Sequence, residues 1–538
     1  MHEGKGIPIY SGIAIGRAYV FTEKDLNILP SCGDVDIEKK TYANAVKVAK
    51  GQLSELLHKT QDILGDEETK IIEAQKMMLE DPNFIVSAQK FIESGYSAGE
   101  AAVRMGIELG DSFEHLDDEY IRERAIDVRD ISQRLVEIIC DYSSELIMDE
   151  KGIIITYDLT PSEIISLDKE KTLGIVLKYG SKNSHTSILA KIMDIPMMIQ
   201  SDINVIKGID GCNMILDATM SKYYIDPTEE IIDEMIRKQE ESHREKGELL
   251  KFVGEKTITK SGKEVKIYAN MGELANIDAI IKSDADGIGL MRSEFLYLGR
   301  KGFPSEEDLF CAYKKVIDAM QDKWVIIRTL DIGGDKQLSY YKREKEENPV
   351  LGIRGVRVCI EREDIFSMQL RAICRASAFG NVGIMFPMIT SMWEIKLIKS
   401  FLEKVKLELM KEGIKSGNPK LGIMIETPAA AILSDEFAKE VDFMSVGTND
   451  LTQYVLAADR ENEKLTQYYD PYHQAIIKLL KLIAQNAKEN NVALGICGEL
   501  ASDEHMIESL VQMGYYRLSV SPNQVLRLRK IIIESDKL

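Results

Sequence analysis

The chain has 538 residues, with 68 Lys and Arg against 88 Asp and Glu, a formal net charge of −20. At about 150 residues per domain this length predicts three or four domains, and the acidic charge argues against general binding to nucleic acid or anionic membranes while suiting a basic protein partner. No apolar stretch approaches the roughly 20 residues of a membrane span, the N-terminus lacks the pattern of a secretory signal, and seven scattered cysteines without a CxxC pair predict reduced thiols in the cytoplasm.

The first two segments of the chain differ in pattern. Residues 7–21 are β-rich and punctuated by glycine, which predicts one or two strands. Residues 34–148 carry a helical pattern and predict three or four antiparallel helices. Apolar side chains recur at three- and four-residue steps along one helix face, at Ile121, Ala125, Val128, Leu135 and Ile139. From composition alone, this segment is explained by a solvated helical bundle.

The next segments return to β structure and then to charge. Residues 152–225 predict a compact α/β unit with one helix after Ser184. The strands of residues 7–21 are expected to complete its sheet, which would make the helical block an insertion. Residues 226–252 are dense in charge and predict a mostly exposed linking helix.

From about residue 255 onward, short apolar segments alternate with helical ones. Continuous apolar strands separated by helices are typical of a buried parallel sheet. Eight such units in about 280 residues predict a (β/α)8 barrel, with a doubly wound open sheet as the alternative. The eight candidate strands are 265–272, 286–295, 324–331, 382–389, 421–426, 442–450, 493–499 and 516–521.

Arginines lie at the ends of the predicted barrel strands, where such barrels have their active sites. Arg292 ends the second strand, Arg328 lies in the third, and the segment after it carries Arg354 and Arg357 in GIRGVR. Converging guanidinium groups repel each other unless an anion joins them, and Arg pairs bidentately with phosphate and carboxylate. A single such Arg is more often a surface ion pair, so the prediction rests on the set.

Two carboxylates accompany these arginines. Glu426 ends the fifth strand and Asp450 follows the sixth, after Thr448 and Asn449. Mg²⁺ usually takes one or two protein carboxylates together with substrate oxygens. The pattern predicts a small, highly anionic ligand bound with Mg²⁺, which is the arrangement that phosphoryl transfer requires.

Two further residues have candidate catalytic chemistry. Cys497 lies in CGE at the end of the seventh strand, where its thiol could protonate a carbanion or enolate, although a cysteine is more often a small core residue. His185 lies where a polar loop meets a predicted helix start that Ser184 could cap. A neutral imidazole is a good nucleophile toward phosphorus, although a lone His is more often structural.

Several segments closely resemble the signatures of Enzyme I, the phosphoenolpyruvate-protein phosphotransferase family of the bacterial sugar phosphotransferase system. They occur in the family's order, run over nearly the whole chain, and include the helical DDEYIRERAIDVRDI. The segments are SHTSILAK, GIGLMRSEF, RTLDIGGDK, IMIETPAA, GTNDLTQY and CGELA.

The resemblance implies a fold and a set of domains. It implies a helical HPr-binding subdomain inserted in an α/β phosphohistidine domain, followed by a C-terminal (β/α)8 barrel that binds phosphoenolpyruvate and forms a homodimer. The expected boundaries are 1–29 for the first strands, 30–148 for the helical subdomain, 149–225 for the phosphohistidine domain, 226–254 for the linker and 255–538 for the barrel.

The resemblance also implies a reaction in the cytoplasm. Phosphoenolpyruvate, bound with Mg²⁺, would phosphorylate His185 and release pyruvate, and the phosphohistidine would then phosphorylate a His of HPr. Cys497 would protonate the enolate carbon. The matching positions assign substrate binding to Arg292, Arg328, Arg354, Asn449, Asp450 and Arg460, metal binding to Glu426 and Asp450, and supporting roles to Glu294, Asp331 and Lys336.

The sequence departs from the family's pattern at four places. Ser181 replaces the second glycine of a pair before His185, and Met197–Gln200 replaces a run of small residues. Ile164 stands where Thr is frequent, and Gly355 where Ala is usual. The first two departures flank the nucleophile and bear on its packing or transfer rate.

Three alternatives remain open from the sequence. A pyruvate phosphate dikinase or phosphoenolpyruvate synthase would need a large ATP-binding region, which the residues before His185 do not resemble. A nitrogen-related paralogue would typically carry an additional sensory domain. A non-catalytic binding protein would tolerate replacement of the polar residues at the barrel mouth.

Overall fold

A computed structural model describes most of the chain. It comprises two compact units, Met1–Glu245 and Lys246–Leu538. Among the described residues, no helix has the length and apolar character needed to cross a membrane. The described residues are 1–21, 28–60, 75–114, 119–140, 148–159, 161–180, 185–298, 300, 302–333, 338, 340–341, 346–460, 462–465 and 467–538.

The first unit is built on a mixed eight-stranded sheet. Its strands, β1 to β8, are His2–Lys5, Ile7–Tyr10, Ile13–Phe21, Gly152–Thr156, Thr172–Leu177, Met197–Ile199, Asn213–Asp217 and Lys222–Ile225. The order across the sheet is β1-β8-β7-β3-β4-β5-β6-β2. The β4 and β5 segments are almost wholly buried, which matches their continuous apolar sequence.

The helical block is an insertion between two neighbouring strands of this sheet. β3 pairs in parallel with β4, from Arg17 opposite Gly152 to Phe21 opposite Thr156, although the block separates them in sequence. The predicted insertion is therefore confirmed. The predicted strand segment 7–21 contains two strands, β2 and the longer β3, and β1 lies before it in the sequence.

The helices of the inserted block share a hydrophobic core of their own. Ala125, Val128 and Leu135, on the predicted apolar face, are at most 1% exposed, whereas the side chain of Ile121 lies outside the described residues. The helices of the inserted block are Val35–Thr60, Pro82–Glu93, Ala98–Glu114 and Glu119–Ile139. The others of the first unit are Pro161–Ser166, His185–Ile192, the 3₁₀ turn Lys207–Ile209 and the charged helix Glu229–Leu249, which runs into the second unit.

The second unit is a closed barrel of eight parallel strands. These strands, β9 to β16, are Lys266–Met271, Gly287–Arg292, Trp324–Arg328, Val382–Phe386, Lys420–Ile425, Phe443–Gly447, Ala493–Cys497 and Arg517–Val520. Each strand pairs with the next in sequence, and β16 closes on β9. The predicted (β/α)8 barrel is confirmed, and the open sheet is excluded by this closure.

Helices surround the barrel. Those of the second unit are Ile277–Lys282, Glu306–Met320, Val356–Glu361, Glu363–Ala376, Met392–Lys411, Pro428–Ile432, Ser434–Ala438, Thr448–Leu456, Gln474–Glu489, Glu504–Met513 and Val525–Glu534. Its 3₁₀ turns are Leu250–Phe252, Leu274–Asn276, Ser293–Leu296, Pro349–Leu351, Glu463–Leu465, Glu499–Ser502 and Pro522–Gln524.

Alternate strand residues point to opposite sides of the barrel wall. One set packs against the helices, and the other fills the barrel interior. The interior cluster consists of Leu290, Ile326, Met385, Met424, Phe443 and Cys497. This filling makes the barrel a packed core, so the space for a ligand lies beyond the strands' carboxyl ends.

Candidate active site

A cavity of about 510 Å³ lies at the carboxyl ends of the barrel strands. Seven of the residues predicted for the site line it: Arg292, Arg328, Glu426, Asn449, Asp450, Arg460 and Cys497. Six of them lie at a strand end or directly after one, whereas Arg460 follows the helix Thr448–Leu456. Because parallel strands of a barrel end at the same rim, residues far apart in sequence meet there.

Arg328 is held in this wall by two buried acids. Its Nη2 lies 2.5 Å from Oε1 of Glu294, and its Nη1 lies 3.2 Å from Oδ2 of Asp331. Burial would lower the pKa of Arg328, but the charges of Glu294 and Asp331 raise it above its ordinary value. Arg328 therefore carries a fixed positive charge into the cavity wall.

Arg354 lies behind the cavity and ties two carboxylates together. Its guanidinium is 3.3 Å from Asp331 and 3.3 Å from Asp450, and it donates a 3.2 Å hydrogen bond to the hydroxyl of Tyr454. Arg354, predicted to bind substrate, is not among the described residues that line the cavity, but it contacts Asp450, which does. Arg357, by contrast, donates to the backbone carbonyls of Leu351 and Gly352.

Two other arginines line the cavity and are less buried than Arg328. Arg292 ends β10 and is exposed. Arg460 is partly buried, and its Nη1 lies 3.8 Å from Oδ1 of Asp450. The side chain of Gln453 accepts a 3.0 Å hydrogen bond from the Arg460 backbone amide. The three arginines, called the positive wall below, share the cavity lining with three acids, Glu426, Asp450 and Glu499.

Glu426 is the most strongly perturbed acid of the site. It is 1% exposed, and its Oε1 accepts a 2.6 Å hydrogen bond from the Met388 amide. Its Oε2 is buried and has no hydrogen-bond partner among the described residues. Burial, together with the charges of Asp450 and Asp331, raises the pKa of Glu426 to about 8. Glu426 and Asp450 both offer carboxylate oxygens to the cavity. Because Oε2 of Glu426 has no hydrogen-bond partner in the described part of the chain, this pair fits a small, hard cation.

Cys497, at the end of β15, is 2% exposed. Its Sγ donates to the carbonyl of Val446 at 3.4 Å and lies 3.7 Å from the hydroxyl of Ser445. Burial raises the pKa of the Cys497 thiol to about 11. The thiol is therefore protonated at neutral pH and can give up a proton to a base that forms in the cavity.

A helix begins directly at the end of β14. Thr448, Asn449 and Asp450 are its first three residues and all line the cavity. The first N–H groups of a helix have no partner within it, which favours an anion at that end. Gly498, with φ of +95°, packs against Thr448 and Asn449, where a Cβ would overlap the Thr448 hydroxyl.

His185 belongs to the first unit, where it is the first residue of the helix His185–Ile192. The loop before it, with Ser181 and Ser184, lies outside the described residues, and so does Lys336. Gln200 adopts φ of +46° and its side chain donates a 3.0 Å hydrogen bond to the carbonyl of Gly180, the last described residue before that loop.

The other departures from the family's pattern have simple surroundings. Ile164 is fully buried in the apolar layer on one face of the first unit's sheet. Gly355 has φ of +58°, a conformation that strains a residue with a Cβ, and a Cβ there would lie 2.9 Å from the Met388 side chain. Glycine is therefore suited to the position beside Arg354.

Seven residues that line the cavity were not predicted for the site: Leu290, Met424, Gly447, Thr448, Tyr469, Gly498 and Glu499. Leu290 and Met424 lie two positions before Arg292 and Glu426, so strand alternation could have identified them as the apolar floor. Tyr469 donates a 3.2 Å hydrogen bond to the carbonyl of Asn449. It comes from a loop without periodicity, and nothing in the sequence indicates its position.

Three family models match the chain. They are described as the N-terminal domain of PEP-utilising enzymes, over residues 5–124, the mobile domain, over 148–220, and the PEP-binding domain, over 246–537. The phosphoenolpyruvate-protein phosphotransferase of Staphylococcus carnosus is 38% identical over 533 residues, which cover 98% of this chain and 93% of its own. The protein of that name from Haemophilus influenzae is 40% identical over 535 residues, with the same coverage.

The chain belongs to the phosphoenolpyruvate-protein phosphotransferase family. A member from Bacillus subtilis is 36% identical, over 100% of this chain and 95% of its own. Among solved structures, an NMR structure of Enzyme I (nEIt) is similar at 27% identity and a TM-score of 0.40, over 44% of this chain and 99% of that one. The resemblance found in the sequence to this phosphotransferase family is confirmed, and the chain is an enzyme.

Proposed function

We propose that this chain transfers the phosphoryl group of phosphoenolpyruvate first to its own His185 and then to a histidine of HPr, releasing pyruvate. This is the first step of sugar uptake by the phosphotransferase system. The observation that carries the proposal is one cavity that combines a positive wall, an acid pair and a protonated buried thiol. It lies within the residues matched by the PEP-binding family model.

The positive wall suits the substrate's charge. Phosphoenolpyruvate carries a phosphate and a carboxylate, and guanidinium groups bind both through paired hydrogen bonds. Arg292 and Arg460, with less burial, would contact the phosphate and carboxylate directly, together with Arg328. Asn449 and the free amides of its helix would add hydrogen bonds, and Arg354 would keep Asp450 in place.

The acid pair suits a metal ion. Enzymes of this family use a divalent metal, and we propose Mg²⁺, held by Glu426 and Asp450. When bound, this ion would neutralise negative charge on the substrate oxygens. Neutralisation and positioning account for most of the catalysis of phosphoryl transfer.

In the proposed transfer, the phosphoryl group exchanges one bond for another. An imidazole nitrogen of His185 forms a bond to phosphorus while the bond from phosphorus to the enol oxygen breaks. The enolate that leaves takes a proton at its methylene carbon from the Cys497 thiol, which gives pyruvate. Solvent later returns a proton to the thiolate.

The remaining assignments follow the family. The helical subdomain, 30–148, would dock HPr, and 1–29 with 149–225 would form the phosphohistidine domain. The linker would span 226–254, and the barrel, 255–538, would form a homodimer. Glu294 and Asp331 would support Arg328, and Lys336 would assist at the site. We propose a cytoplasmic location, where HPr and phosphoenolpyruvate would both be available.

The proposal is tested by incubating the purified chain with phosphoenolpyruvate and Mg²⁺. We expect pyruvate release together with phosphate on the chain that is labile to acid and stable to base, as expected of a phosphohistidine. Added HPr should then acquire the label. Omission of Mg²⁺ should suppress both products.

The matched control is His185→Ala, which keeps the barrel intact. Labelling of that variant would refute the assignment of the nucleophile. ATP-dependent labelling of the unaltered chain, without phosphoenolpyruvate, would instead favour a dikinase or synthase activity.

A further inference from the structure

A buried glutamine outside the cavity links two of the strand ends that bear its arginines. Gln369 lies on the helix Glu363–Ala376 and is 1% exposed. It is not among the residues that line the cavity in the described part of the chain. Its side chain nevertheless makes three hydrogen bonds, each 3.0 Å long.

These bonds join the exits of β10 and β11. Oε1 of Gln369 accepts from the backbone amide of Leu330, two residues after Arg328. Nε2 donates to the hydroxyl of Ser293, the residue directly after Arg292. One amide group therefore spans the two chain segments that carry guanidinium groups to the cavity.

The third bond runs to the outer helix layer. Nε2 of Gln369 also donates to the hydroxyl of Tyr313, on the helix Glu306–Met320. The orientation of the amide is set by its partners, because the Leu330 amide can only donate and must face Oε1. Ser293 and Tyr313 are fully buried, so water cannot replace either bond.

The geometry points to Gln369 as a positioning residue that helps to hold the spacing of Arg292 and Arg328 where both segments leave the β10–β11 ladder. It acts through Ser293 and Leu330 and has no contact with the ligand. The β10–β11 ladder ends at the pair Arg292 and Arg328, and the ion pair of Arg328 with Glu294 joins the same two exits through side chains. The amide bridge adds a link just beyond the ladder, from the backbone amide of Leu330 to the side chain of Ser293. This inference rests on the proposed function, since the spacing matters only if an anion bridges the two arginines.

The structure offers a matched pair of variants for the test. Ser293→Ala and Tyr313→Phe each remove one buried hydroxyl that accepts from the same Nε2 at the same distance. Only Ser293 belongs to a strand exit that bears an arginine. Both variants should lose a comparable amount of thermal stability, whereas a positioning role predicts that only one affects substrate binding.

Steady-state pyruvate release is measured for each variant over a range of phosphoenolpyruvate concentrations with Mg²⁺. We expect Ser293→Ala to lower kcat/KM roughly tenfold, mainly through KM, because a small misplacement of a binding group is costly. Tyr313→Phe should remain within about twofold of the unaltered chain. Gln369→Met, which removes all three bonds, should lower kcat/KM at least as much as Ser293→Ala.

Equal effects of Ser293→Ala and Tyr313→Phe on kcat/KM would overturn the inference, even if Gln369→Met fails to fold. So would a Gln369→Met variant that folds and keeps the KM of the unaltered chain. Failure of the proposed function has a different signature, since the unaltered chain would then release no pyruvate at all.

Discussion

Removal of the Arg354 guanidinium should destabilise the barrel by an amount that the structure sets. Arg354 lies 3.3 Å from both Asp331 and Asp450, whose side chains are 1% and 10% exposed. Breaking a buried ion pair by removing one partner costs about 3–5 kcal/mol. In Arg354→Met, Asp331 keeps Arg328 at 3.2 Å and Asp450 keeps Arg460 at 3.8 Å. We therefore expect the lower end of the range, about 3 kcal/mol.

Two controls separate charge from geometry. Arg354→Lys keeps the charge but lacks the planar fork that spans two carboxylates, so its cost should be intermediate, roughly 1–2 kcal/mol. Tyr454→Phe removes only the hydroxyl that accepts from Arg354 and donates to the Val350 carbonyl at 2.7 Å. Its cost should be about 1 kcal/mol.

The chain supplies a reporter for this experiment. Its only two tryptophans, Trp324 and Trp393, both lie in the unit Lys246–Leu538. Tryptophan fluorescence during urea denaturation therefore reports the barrel alone, which matters because a chain of several domains need not unfold in one step. With an m value of about 3 kcal/mol per molar urea, Arg354→Met should lower the midpoint by about 1 M.

A small cost of Arg354→Met would contradict this role of Arg354. If Arg354→Met and Tyr454→Phe destabilise the barrel equally, the two carboxylates have relaxed to other partners, and Arg354 is not required to hold Asp450. A cost of Arg354→Lys equal to that of Arg354→Met would instead assign the whole effect to the fork geometry of the guanidinium.

Three further predictions concern the strand end at β15. Gly498→Ala should lower pyruvate release at least about tenfold, because its Cβ would overlap the Thr448 hydroxyl and lie 2.8 Å from Oδ1 of Asn449. The control is Gly514→Ala, at a glycine with φ of +112° and no neighbour within 4 Å, which should lose stability but keep activity. Equal rates of pyruvate release by the two variants would contradict this prediction. Cys497→Ala should lower pyruvate release by about 10²-fold or more. Because the folded pKa of Cys497 is raised from 9.0 to about 11, the stability that its neutral thiol contributes is present below pH 9.0 and lost as the pH rises through about 11. The difference in unfolding free energy between the unaltered chain and Cys497→Ala should fall across that window, and a constant difference would show that burial does not hold the thiol protonated.

Much of the barrel could be predicted from the sequence, because each strand is a short, continuous apolar run with its own boundaries. The polar residues at the strand ends could be predicted for the same reason. Arg292 and Glu426 directly follow apolar runs, and the closure of a barrel brings all strand ends to one rim. The inserted helical block was predictable from the change of periodicity at its two ends.

The supporting contacts were not predictable. Gln369 and Tyr469 bond to segments at the strand ends, from a helix and a loop whose local sequence patterns do not indicate these contacts. Their positions depend on how helices pack around the closed barrel. Arg354 and Arg357 look alike in GIRGVR, yet one pairs with buried acids and the other with backbone carbonyls. Sequence spacing does not reveal which way a side chain in an irregular segment turns.

The strand order of the first unit has a consequence for the chain's synthesis. β1 pairs with β8, so that His2 meets Ile225, and the first three strands leave the ribosome long before most of their partners. At about 5–20 residues per second, some 10–45 s pass before this sheet can close. The barrel strands, by contrast, find a partner in the next strand to emerge. The opening strands must therefore stay unpaired without aggregating, and the four-residue lengths of β1 and β2 and the glycines between the strands limit the edge that they offer to other nascent chains.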